Sequence, residues 1–126
     1  MPPRKVLIIE DDVDCAKLLS VIMKQSEHEV KAVSSGVDVL EIVRSFAPDL
    51  ILLDVMLPGK SGYDVCREIR ESKDVRDTPI FMVSAKATSM DVEKGIHVGA
   101  NDYIVKPFDP NQLAERINRF FVLGIA

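Results

Sequence analysis

Short continuous apolar runs alternate five times along the chain with longer segments in which apolar residues recur every three or four positions. Runs such as Val6-Leu7-Ile8-Ile9, Leu50-Ile51-Leu52-Leu53 and Ile80-Phe81-Met82-Val83 suit strands covered on both faces, whereas the spaced pattern, as in Leu113 and Ile117, suits amphipathic helices. The pattern predicts strands near residues 5–9, 29–33, 49–53, 79–83 and 101–105, and helices near 14–25, 36–46, 62–72, 88–98 and 110–121. Regular alternation of this kind is the mark of βαβ units stacked around a parallel sheet, an α/β doubly wound architecture. Helix starts are signalled by a hydroxyl three residues before an acid: Ser35 with Asp38, Ser61 with Asp64, and Thr88 with Asp91. Asp109 followed by Pro110 gives the last helix an N-cap and a first residue whose missing N–H costs nothing.

With 126 residues and neither a linker nor a low-complexity tract, the chain reads as one domain over 1–126, its core spanning about residues 4–121. The apolar tail at 122–126 packs on the domain or marks a truncated linker. Hydrophobic residues at 47% and charged residues at 29% fit a globular protein, and no apolar stretch reaches the length of a membrane span. The N-terminus lacks a signal-peptide pattern, so the sequence reads as cytoplasmic. A net charge of −4 gives no footprint for nucleic acid. Cys15 and Cys66 read as separate thiols, and His28 and His97 as surface or packing residues.

The candidate chemistry lies at the strand ends. Strand three runs directly into Asp54, and strand one into Glu10-Asp11-Asp12. In doubly wound sheets ligands bind beyond the carboxyl ends of the strands, where the strand order reverses. With the order 2-1-3-4-5, strands one and three lie about 4.8 Å apart, and Asp11 and Asp54 repel one another unless a cation sits between them. Hard oxygen donors with room for water suit Mg²⁺, with Mn²⁺ as a substitute. Strand four delivers Ser84, a hydroxyl able to meet a phosphoryl oxygen, and strand five delivers Lys106, a compact cation. A nucleophilic carboxylate, a metal, a hydroxyl and an ammonium together match phosphoryl transfer to an aspartate.

Four motifs, Ile8-Ile9-Glu10-Asp11-Asp12, Leu53-Asp54-Val55-Met56-Leu57-Pro58-Gly59, Val83-Ser84-Ala85 and Lys106-Pro107-Phe108, stand in order at the ends of strands one, three, four and five. In them the chain resembles the receiver domain of bacterial two-component response regulators, of the chemotaxis type, along essentially its whole length. The resemblance implies the flavodoxin-like (βα)5 fold with a five-stranded parallel sheet in the order 2-1-3-4-5. It further implies that Asp54 accepts a phosphoryl group from the phosphohistidine of a sensor histidine kinase or histidine phosphotransfer protein. Asp11, Asp54 and the backbone carbonyl of Met56 would hold Mg²⁺, with Glu10 acting through bound water. Ser84 and Tyr103 would be the switch residues, Lys106 would contact the phosphoryl oxygens, and the bond to Pro107 would be cis. Met56 and Lys86 flank the path of the water that would remove the phosphoryl group, and neither side chain is a good acceptor, which predicts slow self-dephosphorylation. The chain would be a signalling phosphoacceptor that assists its own phosphorylation, not an enzyme in the ordinary sense. Its output face would be helix four, strand five and helix five, where Glu115 and Arg119 stand i and i+4, and homodimerisation on phosphorylation would use that face.

Three other classes fit the sequence less well. An aspartyl-phosphate phosphatase resembles a pattern with a second Asp at the position held here by Met56. A flavin carrier of this topology would not place three acids at its first strand end. A receiver-like interaction module independent of phosphorylation would have no use for the full set of acids, Ser84 and Lys106.

Overall fold

The computed structural model describes residues 2–124. Five strands, β1 (Lys5–Ile9), β2 (Glu29–Val33), β3 (Leu50–Leu53), β4 (Ile80–Ser84) and β5 (Asp102–Val105), form one parallel sheet in the order β2-β1-β3-β4-β5. They alternate with α1 (Val13–Gln25), α2 (Val39–Phe46), α3 (Gly62–Arg70), α4 (Ser89–His97) and α5 (Pro110–Leu123). This is the flavodoxin-like (βα)5 fold expected from the sequence.

Successive strand residues point to opposite faces, and the apolar core is accordingly divided in two. Leu7, Ile9, Ile51 and Leu53 pack under α2 and α3 with Val43, Val65 and Ile69, whereas Val6, Ile8, Leu50 and Leu52 pack under α1 and α5 with Leu19, Met23, Leu113 and Ile117. Burying each large apolar side chain contributes about 1.5–3 kcal/mol, which explains why the central strands carry continuous apolar runs, broken only at their ends by Lys5 and Ser84. β2, at the edge, half-buries only Val30 and Val33 and leaves Glu29, Lys31 and Ala32 exposed. α4 is the least embedded helix: Gly95 is its one fully buried residue, and Met90 and Ile96 face solvent.

The ends of the sheet are tied down by polar groups. At the end opposite the acidic residues, the guanidinium of half-buried Arg70 donates to the carbonyls of Gly99 (2.9 Å), Arg76 (2.8 Å) and Thr78 (2.6 Å) and to the Asn101 side chain (3.0 Å). Nearby, buried His28 accepts from the Arg4 amide at Nδ1 (3.1 Å) and contacts Asn118 Oδ1 through Nε2 (3.0 Å). Because Nδ1 must be the acceptor, Nε2 carries the proton. Phe121 meets the His28 ring edge-on at 5.1 Å, and the Arg4 guanidinium lies over Phe121. His28 is thus a packing residue, and His97 is exposed. Cys15 and Cys66 are free thiols.

Local differences from the sequence reading have physical causes. Ser35 and Asp38 do not form a capping box: the Ser35 hydroxyl accepts from Val37 (3.3 Å), Asp38 takes a left-handed conformation (φ 58°), and α2 starts only at Val39. Thr88 and Asp91 form the complete reciprocal box, while the Ser61 hydroxyl accepts from Asp64 (3.2 Å). Asp109 caps α5 through Asn111 and Gln112. Val122 and Leu123 belong to the last turn of α5, with Gly124 as its left-handed cap, so they are helix and not tail; Ile125 and Ala126 lie outside the described residues. Among the described residues Glu115 and Arg119 form no ion pair; Arg116 instead pairs with Asp102 (2.5 Å).

Candidate functional site

The strand register builds the site. Ile9 pairs with Leu53 and Leu53 with Met82, so the residues that follow β1 and β3 emerge side by side at the carboxyl edge. The chain is held there by backbone bonds from Glu10 to Val33 (3.0 Å) and from Asp54 to Ile9 (3.0 Å). One carboxylate oxygen from each of Glu10, Asp11 and Asp54 lies within 4.8 Å of the others. Glu10 and Asp54 are buried, at 3% and 6% exposure, and Asp11 is open to solvent.

Lys106 enters from the end of β5, where its amide donates to the Ser84 carbonyl (2.8 Å). Its ammonium bonds to Glu10 and lies 3.4 Å from Asp54 Oδ2. Burial opposes the Lys106 charge, yet the bond to Glu10 and the charges of Asp54 and Glu10 outweigh it and raise the pKa above that of an ordinary lysine. Burial, and next the Asp54 carboxyl, push Glu10 above the usual carboxylate range, with Lys106 offsetting only part of the rise. One ammonium therefore leaves the acidic centre short of positive charge. Three hard oxygen donors converging on one point with one of them so destabilised fit a hard divalent cation.

The peptide bond between Lys106 and Pro107 is cis. Met56 is exposed, and its amide donates to Asp54 Oδ1 (3.2 Å). Ser84 is fully buried, and its hydroxyl accepts from the Lys86 amide (3.3 Å). Tyr103 is turned inward at 6% exposure, its hydroxyl donating to the Lys86 carbonyl (2.6 Å). Lys86 itself is exposed and lines a cleft of about 580 Å³ with Asp11, Met56 and Lys94. The structure thus gathers Glu10, Asp11, Asp54, Lys106 and the Met56 amide at one point, and places Ser84 and Lys86 along the neighbouring β4–α4 segment with Tyr103 of β5 against it.

Four further residues shape the site and its surroundings without having been legible as doing so. Asp12 caps α1 by accepting from Cys15 (3.2 Å). The Cys15 thiol is drawn against the acids, and burial and the Glu10 carboxyl push it up to about 11, so it stays protonated. Gly62 packs against the backbone after β3: a Cβ there would collide with the Asp54 carbonyl, while its amide donates to Val55 (2.8 Å). The glycine of a Ser-Gly pair opening a helix was the available signal. Tyr63, which lines the same cleft and donates to the Asp91 carbonyl (3.0 Å), has no such signal, since an aromatic early in a helix reads as core.

This arrangement defines a class of α/β domain with an acidic, cation-ready pocket facing a lysine. Residues 6–118 match the family described as the response regulator receiver domain, and the chain belongs to that family of two-component signalling. It is 40% identical over 114 residues to the DNA-binding response regulator MtrA of Mycobacterium tuberculosis, covering 90% of this chain and 49% of that one. The chain spans about half the length of the curated relatives it matches. Among solved structures it resembles the response regulator DrrB, a Thermotoga maritima OmpR/PhoB homologue (33% identity, TM-score 0.85, 98% of this chain and 55% of that one). It also resembles the chemotaxis response regulator CheY4 of Vibrio cholerae (26% identity, TM-score 0.86, 94% and 98% covered). No helix among the described residues is long and apolar enough to cross a membrane.

Proposed function

We propose that the chain is a phosphoacceptor switch, in which Asp54 takes a phosphoryl group from the phosphohistidine of a sensor histidine kinase or a histidine phosphotransfer protein. The observation that carries this is the buried Asp54 carboxylate at the end of β3, facing Glu10, Asp11 and the Lys106 ammonium at once. Asp11, Asp54 and the Met56 carbonyl would hold Mg²⁺, with Glu10 reaching it through water, and Mn²⁺ could substitute. When bound, the metal supplies positive charge to the transferring phosphoryl oxygens.

An Asp54 carboxylate oxygen attacks phosphorus, the bond from phosphorus to the histidine nitrogen breaks, and its electron pair leaves with the imidazole. Lys106, held charged by its acidic neighbours, balances a phosphoryl oxygen. The Met56 amide, already directed at Asp54 Oδ1, keeps the nucleophile oriented. Ser84 moves to donate to a phosphoryl oxygen, and the Tyr103 side chain follows the β4–α4 segment, altering the face made by α4, β5 and α5. That face carries the exposed apolar residues Met90, Ile96 and Val105 and would control an output domain or partner, including a second copy of the chain.

The test is intact mass after incubation with acetyl phosphate, with and without Mg²⁺, for the native chain and Asp54→Asn. A metal-dependent gain of one phosphoryl group, lost in the variant, is the expected result. No gain under conditions that label another receiver would overturn the proposal.

A further inference from the structure

The β4–α4 segment is gripped by two tyrosines that differ in kind. Tyr103, on β5, donates to the Lys86 carbonyl (2.6 Å) and lies beneath Gly95, where an added Cβ would come within 2.7 Å of its ring. Tyr63, on α3, is buried to 5% exposure, donates to the Asp91 carbonyl (3.0 Å) in the first turn of α4, and carries the Lys94 ammonium 4.6 Å above its ring. Asp91 is also the reciprocal partner of Thr88 in the helix cap. A helix that buries only Gly95 of its own residues therefore depends on these few polar ties for its position.

We infer that Tyr63 is the fixed pin of the switch: by holding the Asp91 carbonyl it sets the first turn of α4, and so presents the Lys86 carbonyl where the inward Tyr103 hydroxyl can reach it. Tyr63 acts through the segment and, its hydroxyl lying beside that of Tyr103, on that ring directly as well; it is a positioning residue, and its hydroxyl bonds to none of the acidic centre. The inference rests on the proposed switch for its meaning. Its physical content, that the inward placement of Tyr103 depends on the Tyr63 hydroxyl, can be measured without any phosphoryl donor.

The chain makes this test direct, because it contains two tyrosines and no tryptophan. Tyr63→Phe keeps the ring and leaves Tyr103 as the sole emitter; Tyr103→Phe leaves Tyr63. Acrylamide quenching of tyrosine emission should rise several-fold in Tyr63→Phe over the native chain, while Tyr103→Phe stays as protected as the native chain, since a pin does not depend on the part it positions. Gly95→Ala, which displaces the Tyr103 ring directly, gives the outward reference. Amide exchange in the same variants should quicken at residues 85–92 in Tyr63→Phe and leave β1 and β3 unchanged. Equal protection of Tyr103 with and without the Tyr63 hydroxyl overturns the inference, as does faster exchange spread evenly over the sheet. Labelling of Asp54 by acetyl phosphate in Tyr63→Phe is scored separately, so a failure of the phosphoacceptor reading shows as unlabelled native protein, whatever the quenching shows.

Discussion

At the scale of single residues, the acidic centre sets function against stability. Glu10 and Asp54 are buried with one ammonium between them, and burial first, then the neighbouring Asp54 carboxyl, raises the Glu10 pKa. Asp54→Asn keeps the shape and removes a charge while Lys106 retains Glu10. Its unfolding free energy, read from the urea midpoint at unchanged slope, should therefore rise in a chelating buffer by about 1 kcal/mol. Added Mg²⁺ should stabilise the native chain, by about 2.7 kcal/mol at a hundredfold excess over its Kd, and the variant far less. A variant less stable than the native chain without metal would show that Lys106 already balances the site. The lifetime of the phosphoryl group belongs to this scale too. Attacking water needs an acceptor, and neither Met56 nor Lys86 offers a good one. Lys86→Glu should quicken loss of the phosphoryl mass after donor removal, and an unaltered decay rate would set this account aside.

At the scale of elements, the central strands were legible because a strand covered on both faces needs a continuous apolar run, and Val6–Ile9 of β1, all of β3 and Ile80–Val83 of β4 supply one. β2 was legible too, though its partly covered residues leave a weaker pattern. The start of α2 was not. Ser35 and Asp38 have the spacing of a cap, but nothing local in the sequence reveals that Asp38 goes left-handed. The acidic centre was readable because its members sit at strand ends. Tyr63, Gly62 and Cys15 were not, since their roles depend on which loop folds over them. Arg70 escaped for the same reason, because a lysine or arginine ending a helix ordinarily faces water. Its fork closes α3, the loop before β4 and the loop before β5 onto one another. Arg70→Lys cannot satisfy the same carbonyls and should cost roughly 2 kcal/mol, read as a lower urea midpoint at unchanged slope. A loss within a few tenths would mean that water replaces the fork.

At the scale of the whole molecule, the two ends of the sheet divide the work. The carboxyl end holds the acids, Lys106 and the loosely embedded α4; the other holds Arg70 and the His28 network. A change at α4, β5 and α5 would thus leave the end of the sheet anchored by Arg70 and His28 in place. Met90, 77% exposed, together with Ile96 and Val105, gives that face an apolar centre. Light scattering should show the phosphorylated chain approaching twice its monomer mass, and Met90→Lys should reverse the change. A monomer after complete phosphorylation would rule out this use of the face. The packing of Arg4 over Phe121 has a separate consequence. It brings the first strand's lead-in and the last helix's final turns together, on the side away from the acids. A domain whose two ends meet is a cassette: spliced into a loop of a host protein, it would stretch neither itself nor its host, and its reactive pocket would still point outward.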